Sequence, residues 1–154
     1  MTSLDQLFAE ADKRRAADGL AYAGALSPAE TLALLELDPS ARLVDVRTRA
    51  ELDWVGRPQI PSDQYVHIEW SRYPGAVPNV AFVDQLREIA EPGTTLVFLC
   101  RSAARSKHAA KAATAAGFSK AYDVLEGFEG DKDADGHRKS VAGWCFRGLP
   151  WIGA

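Results

Sequence analysis

The sequence predicts an α/β domain, a three-layer sandwich in which a mainly parallel central sheet carries helices on both faces. Three observations point there. Short apolar runs around Leu43–Val46, Leu96–Leu99 and Ala121–Leu125 have strand length and little polar alternation, as strands buried on both faces do. Segments with helical spacing of apolar residues lie between them, which is the pattern of a parallel sheet covered on both sides. At 154 residues, 47% hydrophobic and 25% charged, the chain has the length and composition of one domain with a real core. Residues 1–20 read as an N-terminal helical extension and residues 21–154 as the domain proper.

Taken in order, Ser3 to Ala17 place Leu4, Leu7, Phe8 and Ala11 on one side of a helix that breaks at Asp18-Gly19. Tyr22 to Leu26 fit a short strand. Ser27-Pro28-Ala29-Glu30 then supplies an N-cap, a proline at the first helical position and a capping-box glutamate, so a helix runs to about Leu37. Asp38-Pro39-Ser40 ends it. In the strand at Leu43–Val46 the polar Asp45 needs a partner, and Arg47 or another arginine is the obvious candidate. Arg49 to Trp54 fit a short helix carrying Glu51, and Gly56 to Pro61 are loop by their glycine and prolines. Tyr65 to Trp70 alternate well enough for a strand that contains His67, expected as a hydrogen-bonded structural histidine.

Pro74-Gly75 and Pro78 mark another loop, after which Phe82, Val83, Leu86, Ile89 and Ala90 have helical spacing until Glu91-Pro92-Gly93. The Thr95 to Leu99 strand follows. An alanine-rich helix comes next, with Ala109, Ala112, Ala113 and Ala116 on one face and Gly117 closing it, and then the strand from Ala121 to Leu125. The tail beyond Gly127 is irregular. Asp131 to Gly136 begin like a calcium loop, but Ala142 stands at the twelfth position where a bidentate glutamate belongs, so a solvated loop is expected. Trp144 and Trp151 read as core or rim aromatics.

A net charge of -3 gives no footprint for nucleic acid or an anionic membrane, so any anion recognition must be local. Two cysteines are too few for a disulfide framework and suit a reducing, cytoplasmic setting. The first twenty residues mix acids and bases without a long apolar core, unlike a secretory signal or transit peptide. His67, His108 and His137 are scattered and lack ligand spacing, so neither a metal nor an organic cofactor is implied.

The chemistry concentrates where the apolar strand ends in Cys100. A thiol is a useful nucleophile as thiolate, and a following helix N-terminus, successive backbone N–H groups and nearby guanidinium charge all favour the anion. Arg101 and Arg105 bound the loop and can hold a sulfonate, sulfate or phosphate, while Ser102, Ala103 and Ala104 are small enough for the backbone to curl close to the thiol. Cys145, the second thiol, pairs with Cys100 only if their Cα atoms lie within about 7 Å, and otherwise packs.

The run Cys100-Arg101-Ser102-Ala103-Ala104-Arg105-Ser106 resembles the active-site loop of the rhodanese domain, a sulfurtransferase family. Leu43-Val44-Asp45-Val46-Arg47 with Glu51 is similar to that family's early Asp-x-Arg strand and downstream glutamate. Leu125-Glu126-Gly127, with Gly143-Trp144 and Gly148-Leu149-Pro150-Trp151, is similar to its closing signature, so the likeness runs from about Tyr22 to Trp151.

The resemblance implies that Cys100 is the nucleophile and carries a persulfide. It makes Arg101, Ser102, Ala103, Ala104, Arg105 and Ser106 the substrate-binding loop, with Asp45 and Arg47 in support. Its partners would be a small sulfur donor such as thiosulfate and a thiol or cyanide-like acceptor, with a sulfur-relay protein as a further candidate and ping-pong kinetics. Four residues separate Cys100 from Arg105, one fewer than in related phosphatases of the cell-cycle type, and the shorter loop fits a sulfur better. A non-catalytic or redox-sensing module, a small phosphatase and an arsenate reductase stay open as alternatives. Three departures from the family pattern concern donor and partner choice: Ala103 in place of glycine, the rerouted Gly56 to His67 segment, and the long insertion between Gly127 and Trp144.

Overall fold

A computed structural model describes residues 2–154 of the chain. In chain order the elements are α1 (Leu4–Asp18), β1 (Gly24–Leu26), α2 (Pro28–Leu37), β2 (Arg42–Asp45), α3 (Arg49–Trp54), β3 (Arg57–Pro58) and β4 (Tyr65–His67). They continue with β5 (Ser71–Arg72), β6 (Val77–Pro78), α4 (Phe82–Ile89), β7 (Leu96–Leu99), α5 (Ala104–Ala115), β8 (Ala121–Val124) and β9 (Trp151–Ile152). The main sheet has the order β1-β8-β7-β2-β4, and all its pairings are parallel.

Helix ends follow local chemistry. Ser3, Ser27 and Thr48 each close a capping box with Gln6, Glu30 and Glu51, and Pro28 opens α2 where its missing N–H costs nothing. Gly19 ends α1 at φ +62°, in the left-handed region that glycine tolerates.

Strand alternation sorts the core into two layers. On β7, Leu96 and Phe98 point to the side covered by α4 and α5, and Cys100 continues that register beyond the strand's end. Val97 and Leu99 point to the other side, where α1, α2, Phe128 and Trp144 cover them. Leu7 and Ala11 of α1 are buried in that second layer, and Gly24 has only hydrogen because a Cβ there would lie 2.5 Å from the Ala11 carbonyl oxygen. The N-terminal helix is thus packed directly on the edge strand.

The buried face of α5 is Ser106, Ala109, Ala110 and Ala113, one position round from the expected Ala112. Two stretches expected as loop carry short antiparallel pairings. Pro58 of β3 pairs with Trp151 of β9, tying the Gly56 segment to the tail, and β5 pairs with β6 in a small hairpin. His67 meets its structural expectation, its Nε2 lying 2.7 Å from the Arg47 carbonyl oxygen. In the acidic tail Asp133 accepts from the N–H groups of Asp135 and His137, so its carboxylate organises a turn. No helix among the described residues is long and apolar enough to cross a membrane.

Asp45 and Arg47 form a fully buried, two-pronged ion pair, with Nε to Oδ1 at 2.9 Å and Nη2 to Oδ2 at 2.7 Å. Arg47 also donates to the Gly56 carbonyl, the Tyr65 hydroxyl donates to Asp45, and the Phe128 ring lies 4.4 Å under the guanidinium. One pair thereby ties β2 to β4, the Gly56 loop and the Phe128 segment. Removing one partner leaves the other charged and buried, so Arg47→Met is expected to lower the unfolding free energy by about 3–5 kcal/mol in urea titrations.

Candidate active site

Cys100 is the first residue past β7 and is 1% exposed. The chain must then turn from the sheet into α5, and it does so through Ala103 at φ +71°, ψ +11°. An L side chain at that angle costs about 1–2 kcal/mol, which is the strain the glycine of the resembled loop would avoid. Segment 127–130 holds the turn from outside. The N–H of Phe128 donates to the Cys100 carbonyl at 2.8 Å, and those of Glu129 and Gly130 donate to the Arg101 carbonyl at 3.0 and 3.1 Å. Gly127, at φ +71°, sits where a Cβ would come within 2.5 Å of the Arg101 carbonyl group, so only glycine allows that approach.

The thiol faces the first turn of α5. The Ser106 N–H donates to Sγ at 3.4 Å, and Sγ lies 3.4 Å from the Ser106 hydroxyl oxygen. That hydroxyl donates to Oδ1 of Asp123 at 2.5 Å. Asp123 is on β8 opposite Phe98, has no exposed surface, and its Oδ2 has no hydrogen-bond partner among the described residues. Burial pushes its carboxyl up to about 7, against smaller opposing effects of the Ser106 hydrogen bond and the Lys107 charge.

The two arginines have different surroundings. Arg105 is held by Glu51 through two bonds of 2.6 and 2.9 Å, and Glu51 is itself the capping-box residue of α3. Burial alone would raise the Glu51 carboxyl, but Arg105 and the Thr48 cap outweigh it and hold it below the usual range. Arg101 is exposed, and its guanidinium has no hydrogen-bond partner among the described residues. Both arginines line a cavity of about 420 Å³ whose other walls include Thr48, Trp54, Arg72 and Tyr73. Trp54 and Tyr73 meet edge to face at 6.4 Å and are 76% and 64% exposed. An anion entering this cavity therefore meets the Arg101 guanidinium, an Arg105 already neutralised by Glu51, and Arg72, whose nearest carboxylate is Glu69 at 3.9 Å.

The loop Cys100 to Ser106 is thus assembled, with two changes of role. Ser106 was expected among the residues facing substrate, but its side chain lies behind the thiol, between Sγ and Asp123. Arg105 was expected to be free for an anion and instead carries a carboxylate. Ala103 is buried, Ser102 half-buried and Ala104 exposed. Asp45 and Arg47 lie in the β2 brace, away from the cavity lining. Asp123 was not singled out from sequence. Its only signal is a lone acid inside the apolar run Ala121-Tyr122-Asp123-Val124-Leu125, the same cue that drew attention to Asp45. Cys145 is half-buried against the opposite core layer from Cys100, and burial pushes its thiol up to about 11.

The family description Rhodanese-like domain matches residues 27–134. An uncharacterized protein of Rickettsia conorii is 32% identical over 116 residues, which is 73% of this chain and 89% of that one. The crystal structure of Rv0390 from M. tuberculosis superposes with a TM-score of 0.79 at 42% identity, covering 86% of this chain and 99% of that one. The solution structure of the polysulfide-sulfur transferase homodimer from Wolinella succinogenes shares the fold, with a TM-score of 0.61 at 24% identity over 96% and 88% of the two chains.

Two outcomes follow from this geometry. Ala103→Gly relieves the left-handed turn and is expected to raise stability by up to about 1 kcal/mol, read from the urea midpoint. For Asp123, the folded state holds its proton up to about pH 7, whereas the unfolded carboxyl releases it near 3.8. The folded protein therefore binds more protons between those limits, and this group makes stability fall as pH rises through that window and level off above it. At about 1.4 kcal/mol per pKa unit the effect is a few kcal/mol, so Asp123→Asn should gain on the wild type between about pH 4 and pH 7 in paired melts and hold that gain above it.

Proposed function

Because the chain belongs to the rhodanese-like domain family, we propose that it is a sulfurtransferase carrying a sulfane sulfur as a persulfide on Cys100. The observation that carries this reading is the seat of Sγ, which lies at the N-terminus of α5 with the Ser106 N–H directed at it and with Arg101 unpaired on the same loop. The thiolate attacks the outer sulfur of thiosulfate. A bond forms between Sγ and that sulfur while the bond to the sulfite sulfur breaks, and sulfite leaves with the electron pair. The anion left on the outer sulfur of Cys100 has the backbone N–H groups of the loop and first turn of α5 to receive it. A thiolate or cyanide then attacks the outer sulfur and returns Cys100 as thiolate, in a double displacement.

In this reading the exposed Arg101 receives the sulfonate end of a donor. Glu51 on Arg105 argues against a phosphatase, since the closing arginine of the loop is already neutralised. The fold-level likeness to the Wolinella succinogenes polysulfide-sulfur transferase agrees with sulfur transfer, and the acceptor class proposed is a small thiol, a cyanide-like nucleophile or the thiol of a sulfur-relay protein.

Incubation with thiosulfate should add about 32 Da, one sulfur atom, to the intact protein, and cyanide should remove it as thiocyanate. Cys100→Ser should abolish both, and Arg101→Ala should raise KM for thiosulfate about tenfold with a smaller change in kcat. Folded, reduced wild-type protein that forms neither adduct nor thiocyanate would overturn the proposal.

A further inference from the structure

We infer that Asp123 is a positioning residue that takes up the Cys100 thiol proton through the Ser106 hydroxyl, so that the buried negative charge can move from a carboxylate to the reactive sulfur. As a contribution to sulfur transfer this rests on the function proposed above. As a property of the thiol it stands on geometry alone.

The path is continuous: Sγ to Ser106 Oγ at 3.4 Å, then Ser106 Oγ to Asp123 Oδ1 at 2.5 Å, with none of the three residues more than 1% exposed. Along it the S–H bond breaks and its electron pair stays on sulfur. The Ser106 oxygen receives that proton as its own passes to Oδ1. Nothing is oxidised or reduced, and the unit carries one negative charge before and after.

The two ends of the path differ in what they offer that charge. At Asp123 the surroundings are an apolar layer of Phe98, Ala109, Ala110 and Tyr22, and Oδ2 is unpartnered. At Cys100 the charge meets the Ser106 N–H, the N-terminal end of α5 and the field of Arg105. The charged and titratable groups facing Asp123 are few. Lys107 on α5 acts weakly against its burial, and Tyr22, ahead of β1, has its phenol pushed up to about 12 by burial and by Asp123 itself, so it stays neutral. Cys100, at the end of β7, is the remaining ionisable group that faces it, through the Ser106 hydroxyl.

A serine hydroxyl needs only an acceptor, which a neutral amide oxygen would provide, whereas a carboxyl can also hold the thiol's proton. Once Asp123 holds the proton it can keep it through the cycle, because the discharge step regenerates the thiolate directly. Each turnover then begins from thiolate. Asp123 is matched to that task, since burial places its carboxyl near the working pH.

The test is the pH profile of Cys100 alkylation by iodoacetamide, read by mass spectrometry in a Cys145→Ser background, alongside persulfide formation from thiosulfate. With the relay, Ser106→Ala shifts the inflection upward by a unit or more and slows alkylation at neutral pH about tenfold, and Asp123→Asn, which removes the second ionisable site, replaces a profile shaped by two coupled ionisations with a single inflection. Ser106→Thr, which keeps a hydroxyl, restores the wild-type profile. If both variants retain the wild-type profile and rate, the role is structural and the inference is overturned. Where Asp123→Asn fails to fold, the Ser106→Ala and Ser106→Thr pair decides on the same criterion. Alkylation involves no sulfur transfer, so an absent persulfide with a shifted profile sinks only the proposed function. A normal persulfide with an unshifted profile sinks only the relay.

Discussion

The chain leaves the sheet at Cys100, and its peptide groups must find partners once the β7 ladder has ended. Buried backbone carbonyls are rarely left alone, and the donors here come from about thirty residues downstream, where Phe128, Glu129 and Gly130 turn their N–H groups onto the Cys100 and Arg101 carbonyls. This clamp holds the turn that leads from the thiol into α5, whose Ser106 N–H donates to Sγ. It works only because Gly127 has no Cβ, so the closing Leu125-Glu126-Gly127 run and the cysteine loop are two halves of one turn. The Glu126 carboxylate, bound to the Gly143 N–H and to Arg147, in turn secures the clamp to the tail.

Charge is distributed around the thiol by pairing. Asp45 with Arg47 and Glu51 with Arg105 cancel within the protein and serve as braces, the first joining β2 to its neighbours and the second joining α3 to α5. Both arginines that would flood the thiol with positive field are partly spent in this way. Arg101 is left as the loop's exposed cation and Asp123 as a buried acid whose Oδ2 has no hydrogen-bond partner among the described residues.

Much of this was legible in the sequence because it is local. The capping box at Ser27, the apolar run into Cys100 and the Asp45–Arg47 pair are each written within a few residues, and the strand and helix periods fixed the layers. What escaped depends on distant segments meeting. The β3–β9 pairing joins residues about ninety positions apart, and Asp123 acquires its meaning only when β8 lies beside β7 under α5. Arg105 looked available because sequence shows a guanidinium, whereas its partner Glu51 is 54 positions away. The surprise at Ser106 is one of direction: spacing puts it in the loop, but only the helix start turns it inward.

The segments that depart from the resembled pattern surround the thiol without altering its seat. Ala103 keeps the left-handed turn at some cost in strain. The rerouted stretch from Gly56 to His67 trades a free loop for a short pairing with the tail, which anchors α3 and hence Glu51. The β5–β6 hairpin and α3 raise Tyr73 and Trp54 at the cavity rim, where large aromatic surface remains exposed. Inside that rim the loop geometry is nearly fixed by backbone bonds. Chemistry at the sulfur and selection of what reaches it are thus built from different parts of the chain. The first depends on β7, α5 and the Gly127 clamp, and the second on elements whose side chains can change without moving Cys100.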